Sequence, residues 1–126
     1  MKRQITIDFQ LPKPHKRNGI WRNKPFRSSR KGKKKEVYPE ANRLTTGGNS
    51  IAYGKSDATQ NTSRKKWESY IKRAAFIKDK SGQYTANNPM SRNYWAIRDL
   101  WNPRKHGITK PFTLSLKNGN KIYIKP

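Results

Sequence analysis

His15 and His106 are the two side chains whose ordinary pKa puts their charge change near neutral pH, and both sit among cations. In "NPRKHGITK", His106 has Arg104, Lys105 and Lys110 beside it. Metal-free RNA cleavage requires a general base, a general acid and cations for the pentavalent phosphate. One reading of the chain is therefore a small, metal-independent cationic ribonuclease or toxin using His106 or His15. The other is that both histidines contact phosphate or solvent, because nothing in their spacing places them together.

Other chemistries lack their residues. Two-metal phosphoryl chemistry needs several carboxylates converging on the ions. The acids here are Asp8, Glu36, Glu40, Asp57, Glu68, Asp79 and Asp99, scattered along the chain. Cysteine is absent, which leaves no disulfide framework, no thiolate metal site and no thiol nucleophile. Two histidines alone do not make a structural zinc site. "TTGGNS" and "AYGKS" contain glycines without the GxxxxGK[ST] spacing of a phosphate loop. No catalytic residue, metal or cofactor is assigned on these grounds.

Charge is the property that stands out. Lys and Arg number 30 against 7 acids in 126 residues, a formal net charge of +23. A body carrying that charge alone repels itself, and a polyanion supplies the missing counter-charge. The stretch "HKRNGIWRNKPFRSSRKGKKK" concentrates the excess and holds no acid. Its Lys16, Arg17, Arg22, Lys24, Arg27, Arg30, Lys31, Lys33, Lys34 and Lys35 can neutralise phosphates and release condensed counterions. Trp21 and Phe26, threaded among them, can stack on unpaired bases. Lys65, Lys72 and Arg73 continue the cationic surface, and Arg104, Lys105 and His106 add a further cluster.

These residues make nucleic acid the expected partner, with RNA favoured over DNA because aromatics suit splayed bases. The expected function is non-enzymatic: a structural component of a ribonucleoprotein or a virion, assembled with other proteins. Ribosomal proteins and viral internal proteins have a similar composition. A capsid or connector protein contacting the packaged genome is the third reading. No apolar run reaches the roughly 18 residues of a membrane span. The N-terminal "MKRQITIDFQLPKP" lacks the apolar region of a signal peptide. The expected location is cytoplasm, organellar matrix or virion interior, without a membrane partner.

The elements that must position these residues are few. Leu, Ile, Val and Phe make up 20 residues, below the roughly 20% level at which a highly charged chain is suspected of disorder. Fourteen aromatics compensate in part, since each buries a large area. "QITIDFQLP" alternates Ile5, Ile7 and Phe9 with polar residues, the period of a half-buried strand. Residues 13–61 show no sustained periodicity and are expected to form an extended basic arm, ordered by a partner. "NTSRKKWESYIKRAAFIKDKSG" predicts a helix capped by Thr62 or Ser63, with Trp67, Tyr70, Ile71, Ala74 and Ala75 on one stripe. Lys78 and Lys80 suit its C-terminal end and Gly82 its exit. "MSRNYWAIRDLWNP" predicts a second helix, capped by Ser91 and stopped before Pro103, with Tyr94, Ile97 and Trp101 along one side. "PFTLSLKNGNKIYIKP" predicts a hairpin turning at Asn-Gly. Together they predict one small α+β domain, an antiparallel sheet of the first strand and the hairpin with two helices.

Overall fold

The computed structural model describes residues 2–40, 50–55 and 63–126. Asp57, Thr62 and most of "TTGGNS" lie outside the described residues. The fold is α+β, with two α-helices and small sheets. The first strand, β1 (Gln4–Asp8), buries Ile5 and Ile7, and Phe9 continues the same face. It joins the C-terminal hairpin, β7 (Phe112–Ser115) and β8 (Lys121–Lys125), in the order β1-β8-β7. The hairpin pair is antiparallel, but β1 runs parallel to β8. Parallel neighbours need a crossover, which the helices supply here. The register sets Ile5 opposite Ile122 and Ile7 opposite Ile124, so the apolar faces coincide.

Gly119 takes a left-handed conformation at the hairpin turn, with φ 91°, whereas Asn118 does not. The turn closes through Gly119 N–H to Leu116 O at 3.0 Å and Leu116 N–H to Asn120 O at 2.8 Å. This is a wider loop than a two-residue Asn-Gly turn.

Helix α1 (Arg64–Ala74) packs Trp67, Ile71, Ala74 and the following Ala75 into that sheet's core. Ser63 caps it, its hydroxyl accepting from Lys66 N–H at 3.2 Å. The helix stops well short of the expected exit at Gly82, so Lys78 and Lys80 are not in its last turn; Lys72 and Arg73 are. Side-chain competitors for the backbone end it early. Asp79 accepts from Ser81 N–H at 2.9 Å and Gln83 N–H at 3.0 Å, folding a tight turn. Asn93 donates to Ala74 O at 2.8 Å, and Ile77 O accepts from Thr85 N–H at 2.8 Å.

Helix α2 (Arg92–Asp99) is capped by Ser91, which accepts from Asn93 N–H at 3.1 Å. It ends as expected before Pro103, where Asn102 caps a short 3₁₀ turn over Pro103–His106. Its burial is not one-sided. Ile97 enters the core under the β1-β8-β7 sheet. Tyr94, Trp95, Ala96 and Leu100 enter a second cluster with Val37 and Tyr53. Trp101, just beyond, touches both clusters and stacks on Tyr70 with centroids 4.0 Å apart.

Val37 and Tyr53 belong to the segment expected to be an extended arm, and here the structure corrects that expectation. The described part of 13–61 is largely folded. A hairpin joins β2 (His15–Arg17) to β3 (Ile20–Arg22), turning at Asn18 and Gly19, with φ 51° and 80°. Two consecutive left-handed residues are the signature of the tight turn that Asn-Gly favours. Strands β4 (Phe26–Arg27), β5 (Lys33–Val37) and β6 (Ile51–Lys55) then form an antiparallel sheet in that order. The second face of α2 gives this cation-rich sheet the apolar partner its own sequence lacks.

Candidate nucleic-acid interface

The β4-β5-β6 sheet carries most of the basic segment. Arg27, Lys35 and Tyr53 are cross-strand neighbours, so they share one face, together with Lys33 and Val37 by alternation. Val37 and Tyr53 are buried against α2 on that face. Toward the far end of β5, an open cavity of about 560 Å³ is lined by Arg27, Ser28, Lys33, Lys34 and Lys35. Four of its five lining residues are cations and none is an acid.

The nearby acids, outside the lining, are tied to the sheet's own groups, two of which, Ser28 and Lys35, line the cavity. Glu36 is buried and accepts from the hydroxyls of Ser28 at 2.7 Å and Ser50 at 2.8 Å, with Arg30 Nε at 3.6 Å. The Ser28 and Ser50 hydroxyls hold its carboxyl below the usual range, with Arg30 adding to the effect against the opposing cost of burial. Asp99 of α2 accepts from the Tyr53 hydroxyl at 2.7 Å and lies 3.6 Å from Lys35 Nζ. Burial, and then the Asp99 carboxylate, push the Tyr53 hydroxyl pKa far above the ordinary phenol range.

The β2-β3 hairpin presents Trp21, which is 46% exposed. Lys16 lies opposite it in register, with Nζ 5.9 Å from the ring, and Lys24 Nζ lies 4.4 Å from it. Both ammoniums are within cation–π reach. Phe26 is also exposed and stacks on Tyr38 at 6.0 Å. The hairpin is anchored along β2. Glu40 holds Arg17 at 2.9 Å and His15 at 3.2 Å. Asn23, buried and left-handed at φ 58°, donates its backbone N–H to Tyr38 O at 2.9 Å and accepts from Glu40 N–H at 3.0 Å.

Not every cation of the segment faces outward. Arg22, expected among the phosphate-contacting residues, is only 2% exposed. Trp21 and Arg22 are consecutive in a strand, so exposing one turns the other inward. Arg17, Arg30 and Lys35 are tied to Glu40, Glu36 and Asp99. Lys31 is exposed at the loop between β4 and β5.

The remaining residues fall into separate groups. Lys65 is exposed on α1. Lys72 and Arg73 line a groove with Lys117 at the hairpin turn. Arg104 and Lys105 are exposed on the 3₁₀ turn, and Lys105 Nζ donates to Asp99 O at 2.9 Å. His106 is half-buried with its ring 6.2 Å from Trp67, whereas His15 faces Glu40. The two histidines thus occupy different surroundings. Among the described residues no group of three or more His, Cys, Asp or Glu could hold a metal ion. No helix among the described residues is long and apolar enough to cross a membrane.

Two features escaped the sequence. Arg98 is buried, donates to Ala86 O at 2.7 Å, Tyr94 O at 3.2 Å and Asn87 Oδ1 at 3.1 Å, and lies 3.7 Å from the Tyr94 ring centroid. Lys2, Arg3, Lys117 and Lys121 gather about the β7-β8 turn. For the last two the Asn-Gly turn was a usable signal, since it sets Lys117 and Lys121 on either side of one loop.

No known family model matches the chain, and neither a curated protein nor a solved structure is similar to it.

Proposed function

We propose that this protein binds nucleic acid without enzymatic activity, RNA in preference to DNA, as a structural component of a ribonucleoprotein or a virion. The observation that carries the reading is the cavity lined by Arg27, Lys33, Lys34 and Lys35, which holds no acid. It lies on the sheet that also carries exposed Phe26, one hairpin away from exposed Trp21. Cations track a phosphate backbone, and aromatic faces accept bases regardless of their identity. The net charge of +23 supplies the long-range attraction. The surroundings of His15 and His106 favour no second, catalytic reading.

The test is fluorescence anisotropy with nuclease-treated protein on single-stranded RNA, structured RNA and duplex DNA, each titrated in salt. Binding that weakens steeply and log-linearly with salt, strongest on an RNA, supports the proposal. A flat dependence, or no binding near physiological salt, assigns the charge to an acidic protein surface instead.

A further inference from the structure

Two grooves flank the β7-β8 turn, and both are cationic. The first, about 430 Å³, lies between the end of α1 and the turn and is lined by Lys72, Arg73 and Lys117 together with Ser115, Leu116 and Asn118. The second, about 230 Å³, lies against the other side and is lined by Lys2, Arg3 and Lys121 together with Gln4 and Gly119. Neither lining contains a carboxylate. The Lys2 stem lies close over the turn at Gly119, where a Cβ would come within 2.8 Å of it. Lys72 and Arg73 also stand in the last turn of α1, where the helix dipole favours positive charge. These six cations belong to the β1-β8-β7 half of the molecule, over one hydrophobic cluster. The Arg27–Lys35 cavity belongs to the other half, over the second cluster, with α2 between them.

From this arrangement we infer that the grooves about the β7-β8 turn form a second phosphodiester-binding site, so that one chain holds two nucleic-acid segments at once. The inference rests on the nucleic-acid reading above and adds a bridging role to it. Counter-charge delivered to the β4-β5-β6 sheet alone leaves Lys2, Arg3, Lys117 and Lys121 without it, and the α1 dipole offsets only part of the charge on Lys72 and Arg73. A second segment of backbone neutralises these cations.

Native mass spectrometry with a short single-stranded RNA, roughly six nucleotides long, reads the number of strands per chain directly. Wild-type protein at saturation is expected to carry two. The variant Lys72→Ser/Arg73→Ser/Lys117→Ser/Lys121→Ser is expected to carry one, with its remaining affinity within about threefold of the wild-type first site if the two sites act independently. Arg27→Ser/Lys33→Ser is expected to weaken the first strand and leave the second in place. Wild-type protein that saturates with one strand overturns the second site and leaves the nucleic-acid reading intact. Two strands on the quadruple variant overturn the assignment to this turn. Wild-type protein that carries none overturns both. The wild-type count needs no variant to fold, and the milder Arg73→Gln/Lys117→Gln, expected to weaken the second strand alone, serves if the quadruple variant does not.

Discussion

Tyr53 of β6 donates its phenolic hydrogen to the Asp99 carboxylate of α2 at 2.7 Å, bridging the basic sheet to the helix beneath it. Both partners are withdrawn from solvent to different degrees, the Tyr53 side fully within the second cluster. Tyr53→Phe keeps the ring and removes the bond, at an expected cost of about 1–3 kcal/mol because the acceptor is charged. The Tyr53 pKa is raised on folding. Its stabilising contribution is therefore complete below the ordinary phenol pKa, about 10, and is lost as pH climbs above it. Thermal unfolding should show Tyr53→Phe less stable at neutral pH, with a shallower alkaline decline than wild type. An alkaline limb identical to wild type would sink the assignment.

Glu36 makes the opposite prediction. Its carboxyl is held below its ordinary value, chiefly by the Ser28 and Ser50 hydroxyls. That contribution is present above the unfolded carboxylate pKa, about 4.3, and is lost as pH falls through the lower folded value. Glu36→Gln should lower Tm by a few degrees at neutral pH and flatten the acid limb of stability against pH. The measurement is calorimetry across an acid series, and an unchanged acid limb counts against it.

Arg27, Lys31 and Lys33 should act on affinity rather than fold. Arg27→Ser/Lys31→Ser/Lys33→Ser leaves the pairs to Glu36 and Asp99 in place, since Arg30 and Lys35 make those. Each phosphate that a variant no longer neutralises should reduce the salt slope by about 0.7–0.9. The triple variant should therefore bind all sequences more weakly, with a slope lower by about 2–3. Arg30→Ser, by contrast, should register mainly as reduced stability.

Trp21 separates strand types. Its ring is exposed at a hairpin whose turn residues are both left-handed. Trp21→Ala should cost about 1–3 kcal/mol on single-stranded RNA, roughly 5- to 150-fold, by loss of base stacking. Binding to duplex DNA should stay within about twofold, because paired bases offer no free face. Equal losses on both substrates would show that Trp21 serves the hairpin and not the base.

The half of the molecule built from Ile5, Ile7, Trp67, Ile71, Ile122 and Ile124 was readable because apolar period and burial coincide there. The caps at Ser63 and Ser91 and the stop before Pro103 followed from local hydrogen-bond chemistry. The basic half was not readable by the same rule. Its strands are two to five residues long, and "KKKEV" shows no apolar alternation. What orders that strand is remote: Asp99 for Lys35, Ser50 for Glu36, and α2 for Val37. One local signal was present, the Asn18-Gly19 dipeptide, which turns its hairpin in the way expected of Asn118-Gly119. The kinds of residue in the candidate interface were plain from composition. Their grouping was not, since it depends on which cations pair with the acids and on the inward turn of Arg22.

Helix α2 lends one set of side chains to each of two cores. The basic half has no interior without α2, and both chain ends lie in the β1-β8-β7 sheet, so truncation at either end opens the first core and should yield an unfolded fragment and not a smaller working module. The same sharing removes the rotational latitude that a linker would give. The basic sheet and the β7-β8 turn are held at a set angle, as jaws on a common axle. On the proposed reading, a polyanion bound by both has to conform to the spacing of the protein.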